Sequence, residues 1–270
     1  MKDKLIIVRG GGDLATGVIH RLWRAGLKVL VLECAAPSAI RRQVAVCEAV
    51  YQGRAVVEGM ECCLAADLTA AKAMWQAGQV PLMVDEQAAL VEDLQPEILI
   101  DAIIAKKNLG TKKNMAPLTI ALGPGFVAGE DVVAVVETKR GHNLGRIITT
   151  GSAAPNSGVP GNIGGYTKER VIHAPVAGRV QVVAGIGALV KQGDIIAYLV
   201  GEKTTPVPAT ISGIIRGMLP EGYVVTKGFK MADIDPRQEE LANCFTISDK
   251  ARCIAGSVLE LVCGHFLGNK

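Results

Sequence analysis

Gly10, Gly12 and Ala15 fit the pattern G-x-G-x-x-A, and they sit where that pattern has chemical meaning. The apolar run Leu5-Ile6-Ile7-Val8 leads into Gly10-Gly11-Gly12, and helix-spaced apolar residues (Leu14, Val18, Leu22) follow at once. Glycines at such a turn let the backbone approach a phosphate, and the helix start offers free N–H donors with a partial positive charge. A second apolar run, Val29 to Leu32, ends in Glu33, about where the acidic ribose reader of a dinucleotide site falls. Thr16 either donates to a phosphate or bonds its own helix turn. Asp13 is out of keeping, because its carboxylate repels a pyrophosphate unless a metal or a lysine screens it. The expectation is a nucleotide or another dinucleotide-like small molecule. The alternative is a glycine turn used for packing alone.

Further residues able to do chemistry fall near the ends of other apolar runs. Arg41-Arg42 follow the second run and are either phosphate partners or a solvated pair. Asp101 lies inside the run Ile98 to Ile104, where a carboxylate must be paired or hydrogen-bonded. Lys106-Lys107-Asn108 are suited to an anion or to a solvated turn. Gly123 and Gly125 flank Pro124 in a second turn of close approach. Glu137, Arg140 and His142 bring carboxylate, cation and imidazole within one short segment, as ligand contacts or as a surface ion-pair cluster. No residue is singled out as catalytic and no set has metal-ligand spacing. The seven cysteines include a vicinal pair, Cys62-Cys63, and no C-x-x-C, so reduced thiols are expected, with a soft-atom role for that pair as a lesser option.

These residues need a scaffold that gathers strand ends. Short apolar runs (55–57, 81–84, 98–104, 118–122, 132–136) alternate in part with helical patterns such as 68–77. The pattern predicts an α/β fold with a Rossmann-like, mostly parallel sheet over residues 1–165, and ligands bind outside the carboxyl ends of such strands. A Gly-, Pro- and Ser-rich stretch from Thr149 to Gly165 reads as a boundary. Beyond it two copies align, with Ala174 on Ala209, Gly178 on Gly213, Gly187 on Gly222 and Gly193 on Gly228. Residues 166–237 are therefore expected to interlock into a small all-β module resembling the barrel-sandwich hybrid of biotinyl and lipoyl carriers. Glu202 takes the place of the modified lysine and Lys203 is one residue off, so a docking or structural module is expected rather than a swinging arm. Residues 238–270 are expected to form a C-terminal helical segment that packs back, with Ser248 as its cap and Ile254, Val258 and Val262 on its apolar stripe.

A net charge of +3 with 4% aromatic residues argues against nucleic acid. No run reaches the roughly 18 apolar residues of a membrane span. The start leaves little room for a signal peptide, so no membrane association and a cytoplasmic location are expected.

Taken together, these blocks resemble the YqeB family of selenium-dependent molybdenum hydroxylase accessory proteins. The resemblance rests on Val8 to Gly17, Asp101 to Asn108, Ala121 to Phe126, Glu137 to Arg146 and Ala232 to Arg237. At fold level it extends to XdhC-type cofactor chaperones. The resemblance implies a role in maturing a molybdenum hydroxylase, whose subunit would be the partner. The ligand would be the molybdenum cofactor in its pterin cytosine dinucleotide form, held for insertion, sulfuration or selenation. Two alternatives stand beside it: an NAD(P)-dependent oxidoreductase, and a structural adaptor that docks the hydroxylase. A homodimer is a further possibility.

Overall fold

The computed structural model describes residues 3–268; the outermost ends of the expected first and last segments, 1–2 and 269–270, lie outside them. The chain divides into two compact units. One comprises residues 1–37, 44–156 and 247–270, and the other 38–43 and 157–246. Residues 38–43 thus leave the first unit, and 238–246 stay with the second. The expected segments 1–165, 166–237 and 238–270 do not follow these divisions.

The first unit begins with β1 (Leu5–Arg9), α1 (Asp13–Arg24) and β2 (Lys28–Glu33). There follow α2 (Ala49–Gln52), β3 (Arg54–Val57), β4 (Met60–Leu64), α3 (Leu68–Gln76), β5 (Val80–Val84), α4 (Leu90–Leu94) and β6 (Ile98–Asp101). Five short strands complete the run: β7 (Leu118–Leu122), β8 (Val127–Ala128), β9 (Ala134–Val136), β10 (Ile147–Ile148) and β11 (Gly151–Ser152). A nine-stranded sheet runs β10-β9-β7-β6-β1-β2-β5-β4-β3, and β8 and β11 form a separate ribbon. Strand side chains alternate between faces. Ile6 and Val8 therefore face α1 and the C-terminal helix, α5 (Asp249–Leu267), while Ile7, Leu30 and Leu99 face α3 and α4.

This architecture corrects the expected Rossmann-like, mostly parallel fold. The sheet is mixed, with antiparallel pairs at both edges, β3 with β4 and β9 with β10. The crossovers from β6 to β7 and from β7 to β9 contain no α-helix. Their sequences explain this, since Asn108, Gly110 and Pro117 in one and Gly123 to Gly129 in the other interrupt any helical period. Among the described residues no helix is long and apolar enough to cross a membrane.

The second unit is built from β12 (Val171–His173), β13 (Gly178–Val182), β14 (Leu189–Val190), β15 (Ile195–Val200), β16 (Thr204–Pro208), β17 (Gly213–Met218), β18 (Val224–Val225) and β19 (Lys230–Asp235). The repeat read from the sequence has a structural counterpart, since β14 falls on β18 and β15 on β19. Two four-stranded antiparallel sheets result, ordered β12-β19-β17-β14 and β16-β15-β13-β18. Exchanging the copies turns one order into the other. Val180, Leu199 and Val207 of one sheet share a core with Ile215 and Ile234 of the other. On its other face β19 carries Asp233, paired with Arg170 and, at 3.5 Å, with Arg216. Asp235 takes a bidentate contact from Arg237.

Candidate functional site

The glycine turn is the entry of β1 into α1, and its three glycines differ in surroundings. Gly10 has φ +95°, and a side chain there would lie 3.0 Å from the backbone of Ile103. At Gly11 it would lie 2.9 Å from the Cys47 nitrogen. At Gly12 nothing stands within 4 Å. Gly12 has φ −66° and is the N-cap of α1, with no side chain capping the helix.

Three expected contact residues work inside the scaffold instead of facing outward. The Glu33 carboxylate accepts from the Gly11 amide at 2.7 Å and from the Cys34 amide at 2.8 Å, so it closes the turn rather than standing out to read a ribose. The Thr16 hydroxyl donates to the Gly12 carbonyl at 2.8 Å and accepts from the Val46 amide at 2.9 Å. Ala15 is fully buried in the core.

Loop 102–111 leaves β6 beside this turn. Asp101 is buried and accepts from the Thr111 hydroxyl at 2.6 Å, and Thr111 in turn accepts from the buried Arg9 at 2.6 Å. Burial pushes the Asp101 carboxyl above its usual range, opposed by the Thr111 hydrogen bond and the Arg9 charge. Asn108 ties the loop's far end through the amides of Gly110 and Thr111. Asp101 and Asn108 therefore shape the loop, and Lys106 and Lys107 stand exposed on it. Ile104 and Lys106 adopt left-handed φ values of 59° and 64°, a cost that surrounding structure must sustain.

The remaining expected residues complete a rim. A side chain at Gly125 would lie 2.6 Å from the Lys107 nitrogen, and one at Gly123 would lie 2.5 Å from the Thr138 hydroxyl. These two glycines bring loop 102–111 and the segment after β9 onto one turn. Glu137 accepts from the amides of Lys139 at 2.6 Å and Ala154 at 2.7 Å, which fixes the path of that segment. His142 is exposed on it. Arg140 forms a bidentate pair with Asp249, at 2.6 and 2.9 Å, at the start of α5.

The structure thus gathers the glycine turn, loop 102–111, the Gly123–Gly125 turn, the segment 137–142 and the first turn of α5. Arg41 falls in the other compact unit. There its guanidinium donates to the carbonyls of Asn243 at 3.0 Å and Thr246 at 3.4 Å.

Lys250 is a member of the rim that the sequence reading missed. It is half-buried, and burial foremost depresses its pKa. The thiols nearest the turn are held in the protonated form: burial, then the Glu33 charge, raises Cys34 to about 11 and pushes Cys47 well above its usual value too. Among the described residues no group of three or more His, Cys, Asp or Glu is placed to hold a metal ion.

No protein-family profile matches the chain. Over 257 residues, 95% of this chain, it is 49% identical to a protein of Escherichia coli K12 described as uncharacterized protein YqeB. Solved structures with a likeness include the ectoine utilization protein EutE (DoeB) from Ruegeria pomeroyi with product bound, at 13% identity and TM-score 0.27, covering 86% of this chain and 84% of that one. A succinylglutamate desuccinylase/aspartoacylase from Rhodobacter sphaeroides has 10% identity and TM-score 0.26, with 87% and 86% covered. An aspartoacylase family protein from Mesorhizobium loti has 9% identity and TM-score 0.28, with 86% and 85% covered. At TM-scores this low the likeness carries no argument about this chain. None of these proteins is described as a molybdenum, selenium or XdhC-type protein. The expected role in molybdenum hydroxylase maturation is accordingly withdrawn. The sequence match supports the YqeB family across nearly the whole chain, which spans 47% of that relative's length.

Proposed function

We propose that the first unit binds a small phosphate-bearing ligand, of the class that includes nucleotides, on the rim around Gly12. The observation that carries this reading is the contrast among the three glycines. Gly10 and Gly11 are packed against protein, while Gly12 opens onto free space at an uncapped helix start. Lys106 and Lys107 stand exposed on the loop that packs against Gly10, Lys250 lies in the first turn of α5, and Arg140 is held there by Asp249. Backbone amides and several cations together favour an oxyanion.

Titration calorimetry with inorganic phosphate, pyrophosphate and a panel of nucleotides tests the proposal. At least one should bind, and Gly12→Val should weaken it by roughly tenfold or more, about 1.4 kcal/mol. The substitution meets open space at an ordinary φ, so the fold should hold, with a loss of about 1 kcal/mol for a poorer N-cap. No binding by the wild type, or equal affinity in the variant, overturns the reading.

A further inference from the structure

β1 and β6 lie side by side and run parallel, and the last residues they pair are Arg9 and Asp101. Beyond that pair the two connections part. The one from β1 leads to β2 on one side, and the one from β6 leads to β7 on the other. Open α/β sheets take their ligands in the crevice between such diverging connections, outside the carboxyl ends of the strands. The floor of this crevice is closed, because a side chain at Gly10 would lie 3.0 Å from the nitrogen and the Cα of Ile103. Gly12 follows that contact in one connection, and the segment 104–107 follows it in the other.

Segment 104–107 takes a path that backbone sterics disfavour. Ile104 has φ +59° and Lys106 has φ +64°, and Ala105 between them has no positive φ. A β-branched residue in the left-handed region is an outlier, and glycine would follow the same path without the penalty. Close packing does not account for these side chains, since the close approaches fall on glycines. One is Gly10, and the other is Gly125, where a side chain would lie 2.6 Å from the Lys107 nitrogen. Alternation of hand along a segment turns successive N–H groups into an anion cradle. Among the described residues the amides of 104–107 meet no acceptor. Those just before them do: Ala102 donates to the Arg9 carbonyl at 2.8 Å, and Ile103 to the Asp101 carboxylate at 3.3 Å.

We infer that residues 104–107 are a second oxyanion subsite beside the Gly12 turn, so that the ligand class is one with two or more linked phosphates. The inference rests on the phosphate-ligand reading. The Gly11 amide is taken by Glu33, so a second phosphate finds its donors across the crevice and not along the glycine turn. Those donors are the amides of 104–107, and the exposed Lys106 and Lys107 supply the opposing charge. The loop is held in place without the ligand. Arg9, Thr111 and Asp101 are hydrogen-bonded in series at its base, and Asn108 accepts from the amides of Gly110 and Thr111. Such preorganisation lowers the cost of binding.

The test is calorimetry on the full chain with inorganic phosphate and with pyrophosphate. Wild type, Gly12→Val and the double variant Lys106→Gln/Lys107→Gln are compared, and hydrogen exchange of the peptide spanning 104–107 is followed alongside. Wild type should favour pyrophosphate over phosphate by roughly tenfold or more. Pyrophosphate should slow exchange at 104–107 more than phosphate does. Both lysines are exposed, so the double variant should keep its melting temperature while losing most of that preference. Gly12→Val should weaken the binding of both anions. Three results would each overturn the second subsite while the phosphate site stands: equal wild-type affinity for the two anions, an undiminished preference in the double variant, or exchange at 104–107 that pyrophosphate leaves untouched. If wild type binds neither anion, both readings fall together.

Discussion

The Glu33 carboxylate holds the Gly11 amide at 2.7 Å, across the turn that joins the first strand to the first helix. A dinucleotide turn of this spacing leaves its amides to the pyrophosphate and its acidic residue to a ribose. Here the acidic residue is spent on an amide of the turn, and both groups are satisfied within the chain. The neighbouring Cys34 amide takes the second carboxylate oxygen. What remains open to a ligand is Gly12 and the cations around it.

Glu33→Gln keeps the shape and removes the charge. Hydrogen bonds to a charged acceptor contribute about 1.5–3 kcal/mol, and a neutral amide keeps part of that, so urea unfolding should show a loss of about 1–2 kcal/mol. The thiol beside it should respond in a fixed direction. Cys34 stands at about 11, first because of burial and second because of the Glu33 charge. With that charge gone the thiol ionises more readily, so Cys34 in Glu33→Gln should react faster with a thiol reagent near pH 8.5. An unchanged or slower rate would show that Glu33 does not govern it.

At the other end of the strands, Glu97 accepts from His265 at 2.9 Å and pairs with Lys4 at 2.9 Å. The His265 hydrogen bond, then that of Lys4, holds the Glu97 carboxyl below its usual range. A depressed carboxylate adds stability above its unfolded pKa, about 4.3, and loses it as pH falls through the folded value. Wild type should therefore be more stable than Glu97→Gln at pH 6–7, and the two should converge as pH falls below about 4. The neutral-pH gap should be small, because all three groups are partly exposed. Parallel unfolding curves at each pH decide it. A gap that persists undiminished in acid would mean that the glutamate acts by packing and not by charge.

Local pattern made part of this molecule legible. The first strand, glycine turn and first helix follow from apolar spacing, and the last helix from its stripe and from Ser248, which accepts from the Ala251 amide. The strand Met60–Leu64 went unseen because its partner is reached through a two-residue turn, Glu58-Gly59, with φ values of 47° and 81°. Such a turn needs little sequence, and its glycine is easily passed over. The run Ile98 to Ile104 reads as one strand, yet the chain leaves the sheet after Asp101 because the Arg9–Thr111–Asp101 contacts turn it away. Clustering of the candidate residues was foreseeable, since parallel strands bring their carboxyl ends to one side. The inward use of Glu33, the removal of Arg41 to another unit and the arrival of Lys250 were not. Each depends on contacts between residues remote in the chain, and residue type alone gives no sign of them.

Gly17 is where one such remote contact can be tested by itself. A glycine inside a helix costs about 1 kcal/mol against alanine, so on propensity alone Gly17→Ala should stabilise the protein. Packing predicts the opposite. The new Cβ would stand 2.8 Å from the Cβ of Ala251 and 3.0 Å from its carbonyl oxygen, closer than such atoms can rest. Overpacking of this kind costs about 1–3 kcal/mol, which is enough to cancel the propensity gain and leave a net loss. Ala251→Gly removes one of the two opposed carbons, so the double variant should be more stable than the sum of the single changes allows. Urea unfolding of the four proteins measures the coupling. Simple additivity, with Gly17→Ala more stable than wild type, would mean that the helices are not in contact at this glycine.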